Sequence, residues 1–284
     1  MHLRKKYITY TTLLICMLSI VLKVQSQSLR YNIGMPYLGP GAYSQQQVDV
    51  FNFSSNQAAL AQIDQTSLGV YGERRFMLSE NSLYSFAAAL PTSLGNIGIN
   101  LKYDGFKNFN ESQVGLAYAR SLGPRLDLGV QFNYYSYQIP GYTKASTINF
   151  EIGAIAHFTE RLSGGVHVYN PVKAELGKNS GEKLSSAYKF GLGYDASDNF
   201  FASAEIIKQE DMPVNVIGAI QYRFKKQFFA RAGFTSETSG YFAGLGLSWS
   251  ALRLDVAATY HPQLGISPAI LLATQFGKSK KNKN

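Results

Sequence analysis

The stretch Leu126-Asp127-Leu128-Gly129-Val130-Gln131-Phe132-Asn133-Tyr134 alternates without a break. Leu126, Leu128, Val130, Phe132 and Tyr134 share one face; Asp127, Gly129, Gln131 and Asn133 share the other. A period of two places successive side chains on opposite sides of a β-strand. Ile97, Ile99, Leu101 and Tyr103 alternate in the same way with Gly98, Asn100, Lys102 and Asp104. So do Tyr188–Asp195 and Leu252–Tyr260. A soluble sandwich also alternates, so the length of the runs decides. Ordinary strands are about five or six residues, whereas a tilted strand that crosses a bilayer needs about 9–11.

Working outward, the same pattern gives about fourteen strands. Their expected spans are 67–76, 82–90, 97–106, 112–121, 126–138, 147–158, 162–171, 185–195, 199–208, 214–224, 227–235, 241–249, 252–260 and 267–276. Short connections at 122–125, 159–161, 196–198, 225–226 and 250–251 alternate with longer ones at 138–146, 172–184, 209–213, 236–240 and 261–266. Short periplasmic turns opposite longer outer loops are the pattern of a transmembrane β-barrel. The fold class is therefore all-β: a transmembrane antiparallel barrel of about fourteen strands, spanning 67–276, with outer-membrane lipid around it. Tyr103, Phe106, Tyr134, Tyr135, Tyr137, Tyr169, Tyr194, Tyr222, Phe224, Trp249, Tyr260 and Phe276 fall near strand ends, where aromatic girdles sit.

The chain has 284 residues and a formal net charge of +9, with charged residues at only 16%. Its mean hydropathy is −0.10, too low for a bundle of membrane helices. The positive balance belongs to the ends. Arg4, Lys5 and Lys6 precede the apolar run Leu13–Leu22, and Val24-Gln25-Ser26 closes it, the order of a cleaved signal peptide over 1–26. An N-terminal anchor is the competing reading of that run. Cys16 lies inside it, so cleavage leaves no cysteine and no disulfide. The tail 277–284 carries Lys278, Lys280, Lys281 and Lys283. Without Arg4, Lys5, Lys6, Lys23 and those four, 19 cations face 18 acids, so the body is nearly neutral. A nucleic-acid partner is not expected.

Residues 27–66 do not alternate. They are rich in Gly, Asn and Gln, include Gly39-Pro40-Gly41, and allow a short helix over Gln57–Gln62. Val48, Val50, Phe51, Phe53, Leu60 and Ile63 favour packing, so this segment reads as a hatch inside the barrel, with a periplasmic tail as the alternative.

With a hatch segment ahead of some fourteen strands, the chain resembles the FadL-type outer-membrane barrels. The stretch Asp49-Val50-Phe51-Asn52-Phe53-Ser54-Ser55-Asn56-Gln57-Ala58-Ala59-Leu60-Ala61 is similar to their acidic residue followed by an Asn-Pro-Ala segment, with Gln57 in place of the Pro. By that resemblance Asp49, Asn56, Ala58 and Leu60 form the hatch motif. The compact size and Val168-Tyr169-Asn170-Pro171 look most like the PorV and PorQ proteins of type IX secretion in Bacteroidota-type bacteria. The resemblance implies a non-enzymatic outer-membrane role in protein secretion or surface attachment, with secretion or surface proteins as partners. FadL-like passive transport of a small hydrophobic ligand, or a purely structural barrel, are the alternatives.

No catalytic, cofactor or metal motif emerges. His157, His167 and His261 lack metal-ligand spacing, and Gly191-Leu192-Gly193 opens no helix, so it forms no phosphate loop. His157 and His167 fall on the inner face near Glu151, most simply as structural histidines. The inner face carries both signs: Lys102, Asp104, Glu151, Lys189, Asp195, Glu205, Arg223, Arg231, Arg253 and Asp255 are the expected lumen charge network. Mixed signs suit bracing of a plug better than a selectivity ring. Gly115, Ala117 and Ala119 leave room beside it.

Overall fold

A computed structural model of the chain describes residues 37–141, 143–177, 183–210, 212–225 and 227–277. The expected signal peptide, the start of the hatch segment, and the tail beyond Gly277 lie outside the described residues.

Fourteen antiparallel strands close into one barrel. They are β1 (Thr66–Arg74), β2 (Ser82–Thr92), β3 (Gly95–Phe106), β4 (Phe109–Ser121), β5 (Leu126–Ile139), β6 (Thr143–His157), β7 (Leu162–Tyr169), β8 (Ala187–Asp195), β9 (Phe200–Gln209), β10 (Asn215–Phe224), β11 (Phe228–Thr235), β12 (Gly240–Trp249), β13 (Leu252–His261) and β14 (Gly265–Phe276). Each strand pairs with its neighbours in sequence. β1 also pairs with β14 from Thr66↔Phe276 to Glu73↔Ala269, which removes both sheet edges. The even strand number leaves both barrel termini at one end, the periplasmic end by the pattern of such barrels, with the outer end opposite.

The alternation sets the orientation of every strand. On β5, Phe132 is 60% exposed while its neighbours Gln131 and Asn133 are 1% exposed. The outer wall carries Val70, Ile99, Leu116, Val130, Ile148, Val166, Ile220, Leu245 and Ile270 in the same way. Soluble monomers rarely expose apolar patches beyond roughly a few hundred Å². A continuous apolar belt around a polar interior requires lipid as the outer solvent.

Two expectations change. Tyr135 and Tyr169 are buried and point inward, and Tyr137 packs against the core, so these three do not join a girdle. The pleat permits only one of the adjacent Tyr134 and Tyr135 to face out. Tyr103, Tyr134, Tyr194, Tyr222, Phe224, Trp249, Tyr260 and Phe276 do face outward. The long connection expected over 138–146 is instead largely strand, because Gln138↔Lys144 and Ile139↔Thr143 pair. Above the lipid the outer face no longer has to be apolar, so pairing continues through residues that show no alternation.

The longest outer connection joins β7 to β8, and its described parts fold back over the barrel. Asn170 takes a positive φ of 50°, a conformation Asn tolerates better than other non-Gly residues. Its side-chain amide donates to the Leu184 carbonyl at 2.8 Å, and its side-chain oxygen accepts from Ala174 N at 3.0 Å. Leu176 and Leu184 are buried in the core as a result.

Candidate functional site

The described hatch, residues 37–65, lies inside the periplasmic half of the lumen. It is built from three short 3₁₀ turns, Gly39–Tyr43, Asn52–Ser54 and Gln57–Gln62. The last packs against β3–β6 and the first against β7–β10. Val50, Phe51, Phe53, Leu60 and Ile63 are buried in the core. The short helix expected at Gln57–Gln62 is present as a 3₁₀ turn.

The wall makes room for it with glycine. A Cβ on Gly129 would overlap the Gln57 backbone, one on Gly153 would overlap Asn56 Oδ1, and one on Gly191 would overlap the Tyr43 ring. At Gly193 a Cβ would lie 2.7 Å from the Tyr43 carbonyl oxygen, and at Gly98 it would lie 3.0 Å from Leu60. These inward positions are small because backbone or ring of the hatch lies directly against them. Gly115 instead clears space for the side-chain amides of Asn100, Gln131 and Asn133. Ala117 and Ala119 are packed in the core.

The hatch-motif residues each make a distinct contact. Asp49 accepts from Phe51 N at 2.7 Å and pairs with Arg253 Nη1 on β13. Asn56 caps the Gln57–Gln62 turn by accepting from Ala58 N at 3.1 Å. Its amide donates to the Val166 carbonyl at 3.1 Å and the Ala154 carbonyl at 3.4 Å, tying the cap to β6 and β7. Ala58 is fully buried with Ala42, Tyr43, Ala59 and Ile155, and Leu60 is fully buried in the larger core.

The expected lumen charges divide into two clusters and three residues apart from them. In the first cluster Glu151 is the hub. Gln57 Nε2 donates to it at 2.6 Å, Asn133 Nδ2 at 2.7 Å and Gln131 Nε2 at 3.2 Å, while His167 Nε2 lies 2.9 Å away. Lys189 donates to the Ser55 carbonyl and hydroxyl, and Ser55 donates to Glu205 at 3.2 Å. Lys102 is buried in the same lumen. In the second cluster Arg253 bridges Asp49 and Asp255, and Arg231 donates to Gln221 and to the Tyr37 carbonyl, both at 2.6 Å. Burial pushes the Tyr37 phenol up to about 12, so it stays a neutral donor to Asp255 at 3.3 Å. Asp104 lies apart, paired with Arg75 at 2.8 Å toward the outer rim. Arg223 lies at the periplasmic end of β10. Asp195 holds the hatch directly, accepting from Ser44 Oγ at 2.6 Å and Gln45 N at 2.9 Å. His157 pairs with Asp127 at 2.8 Å and not with Glu151.

Three hatch contacts carry no local signal in the sequence: Tyr37 with Arg231 and Asp255, Asn52 with the Gly41 carbonyl at 3.0 Å, and Asn96. Asn96 donates to the Leu60 carbonyl at 2.7 Å and the Ile63 carbonyl at 2.6 Å. Its place beside outward Ile97 turns it inward, but no neighbouring residue names its partner.

No protein-family model matches the chain, and no curated protein does. Solved structures do. A mutant of TodX, a monoaromatic hydrocarbon channel, aligns over 87% of this chain and 99% of its own with a TM-score of 0.66 at 10% identity. CymD, also a monoaromatic hydrocarbon channel, aligns over 85% and 99% with a TM-score of 0.63 at 11% identity. A FadL homologue of Pseudomonas aeruginosa aligns over 84% and 98% with a TM-score of 0.59 at 11% identity. The fold is that of the FadL-type outer-membrane barrels. The barrel thus resembles proteins of the Gram-negative outer membrane, and the TodX and CymD neighbours are channels rather than enzymes.

Proposed function

We propose that the chain is a non-enzymatic outer-membrane barrel that admits a small hydrophobic molecule by passive transport. The observation that carries this reading is the apolar cluster inside the lumen. Tyr71, Leu83, Tyr135, Ile207, Ile217 and Phe242 line its outer half and share one apolar cluster with Leu176 and Leu184 of the folded-back connection. The same cluster continues into the hatch through Val50, Phe51, Phe53, Leu60 and Ile63, while the polar groups around Glu151 and Arg253 brace it. An apolar cluster that runs from the outer end of the lumen down to the hatch suits an apolar cargo, and the neighbours' description as hydrocarbon channels supports the same class. Conduction then requires the hatch to shift, because its contacts reach β3–β10 and β13. Uptake of radiolabelled toluene by Gram-negative cells producing the chain tests this. Faster entry than in cells without the barrel is expected; equal entry, with the folded barrel present in the outer membrane, removes the proposal.

A second reading is a secretion or surface-attachment barrel of the PorV/PorQ kind, with a Bacteroidota-type source and a signal peptide that delivers it. It is favoured by an outer mouth where the β7–β8 connection folds inward, while the other outer connections are brief. Such a face suits protein docking better than capture of solutes. Crosslinking in cells followed by purification of the tagged chain tests it: recovery of a secretion component or surface cargo is expected, and recovery of neither rejects it.

A further inference from the structure

A cavity of about 440 Å³ opens between the hatch and the periplasmic ends of β10–β14 and β1. Its wall is more polar than the apolar cluster above it. Amides and hydroxyls dominate the wall, among which three arginines are spaced. Two of the three are committed. Arg253 is held by Asp49 and Asp255, and Arg231 by Gln221 and the Tyr37 carbonyl. Arg223 lines the cavity half-buried, and its guanidinium has no hydrogen-bond or ion-pair partner among the described residues. The Asp49 carboxylate is already engaged by Arg253 and Phe51 N, and the other wall acid, Asp64, is not free either.

Two residues of the lining carry amides shut off from solvent. Gln47 is 6% exposed, and neither its side-chain nitrogen nor its oxygen has a protein partner among the described residues. Its backbone is fixed, with N donating to Ser44 Oγ at 2.9 Å and the carbonyl accepting from Asn52 at 3.3 Å. Gln62 Nε2 is likewise buried without a partner among the described residues. Both residues line the cavity. Buried polar groups are rarely left unmatched, since each costs about 1–3 kcal/mol. A planar guanidinium selects carboxylate by two parallel bonds, and the amides and hydroxyls select a ligand that carries hydroxyl groups.

We infer that this periplasm-facing cavity binds a small hydroxylated carboxylate, with Arg223 taking the carboxylate and the amides and hydroxyls of the wall taking the hydroxyl groups. This site is separate from the apolar cluster to which the hydrophobic cargo is assigned and does not depend on that assignment.

Isothermal titration of the full chain in detergent micelles with acetate, glycerate and gluconate, and with neutral sorbitol, tests the inference. Gluconate is expected to bind saturably at one site, at least ~10-fold tighter than sorbitol, the factor that one charge-assisted contact supplies. Arg223→Gln should abolish that preference while the protein keeps the heat-modifiable gel migration of a folded barrel. No saturable binding of any of the three carboxylates overturns the inference, as does unchanged gluconate affinity in Arg223→Gln. If that variant does not fold, Arg223→Lys replaces it: a loss of about threefold or more in gluconate affinity is expected from the lost second bond to the carboxylate, and an unchanged value overturns the site.

Discussion

Arg253 on β13 grips Asp49 of the hatch across 204 residues of sequence. The same guanidinium holds Asp255 two residues along its own strand and lies over the Phe229 ring, 4.6 Å from its centroid. The wall thus fixes the arginine first, and the arginine then fixes the hatch. Asp49→Asn removes one charge-assisted bond but leaves Arg253 its Asp255 partner. The hatch should lose about 1.5–3 kcal/mol of local stability, the range for hydrogen bonds to charged groups. Hydrogen exchange should quicken over residues 37–63 and leave the strands of the wall unchanged.

Glu151 gathers three donated hydrogen bonds and a histidine at 3% exposure. Glu151→Gln replaces an acceptor oxygen with an amide nitrogen facing other donors, so the cost should reach about 3 kcal/mol. Combined with Gln57→Ala, it should show coupling of about 0.5–3 kcal/mol, because the two side chains touch. Denaturant unfolding of the parent, the two single variants and the double variant in micelles measures both values.

The inward glycines are a steric test of hatch seating. Gly153→Ala places a methyl against Asn56 Oδ1 and should destabilise by about 1–3 kcal/mol, as overpacking does. Gly72 has open surroundings, and the nearest neighbour would be 3.8 Å from an added Cβ. Gly72→Ala should therefore stay within about 0.5 kcal/mol of the parent. Thermal melting followed by gel migration compares the two.

Trp249 is the sole tryptophan, 74% exposed at the periplasmic end of β12. An outward indole at a strand end belongs at the lipid–water interface. In vesicles, lipids brominated near the headgroup should quench its fluorescence more strongly than lipids brominated near the chain ends. The reverse order would move the belt relative to the bilayer.

The barrel is legible in the sequence because period-two runs need only neighbouring residues to be read. All fourteen expected spans overlap the observed strands, since an apolar lipid face and a polar lumen face impose the alternation locally. The start of β6 escapes that reading because the outer face there carries Lys144 and Ser146 in place of apolar residues. Within the hatch, the apolar side chains of Val50, Phe51, Phe53, Leu60 and Ile63 are readable as packing. Partnership is not. Asp49 with Arg253, Asn96 with Leu60, and Asp195 with Ser44 are set by closure of the barrel around the segment. For the same reason the charges on the inner face can be named but not divided into clusters, and Asp104 cannot be separated from them.

The most direct measurement is single-channel conductance in planar bilayers of the full chain beside the double variant Asp49→Ala/Asn56→Ala. The hatch filling the lumen predicts a parent that stays closed and a variant that opens in discrete steps, because two of its anchors to the wall are gone. Equal conductance in the two, with both folded and inserted, would contradict a hatch that plugs the barrel through those contacts.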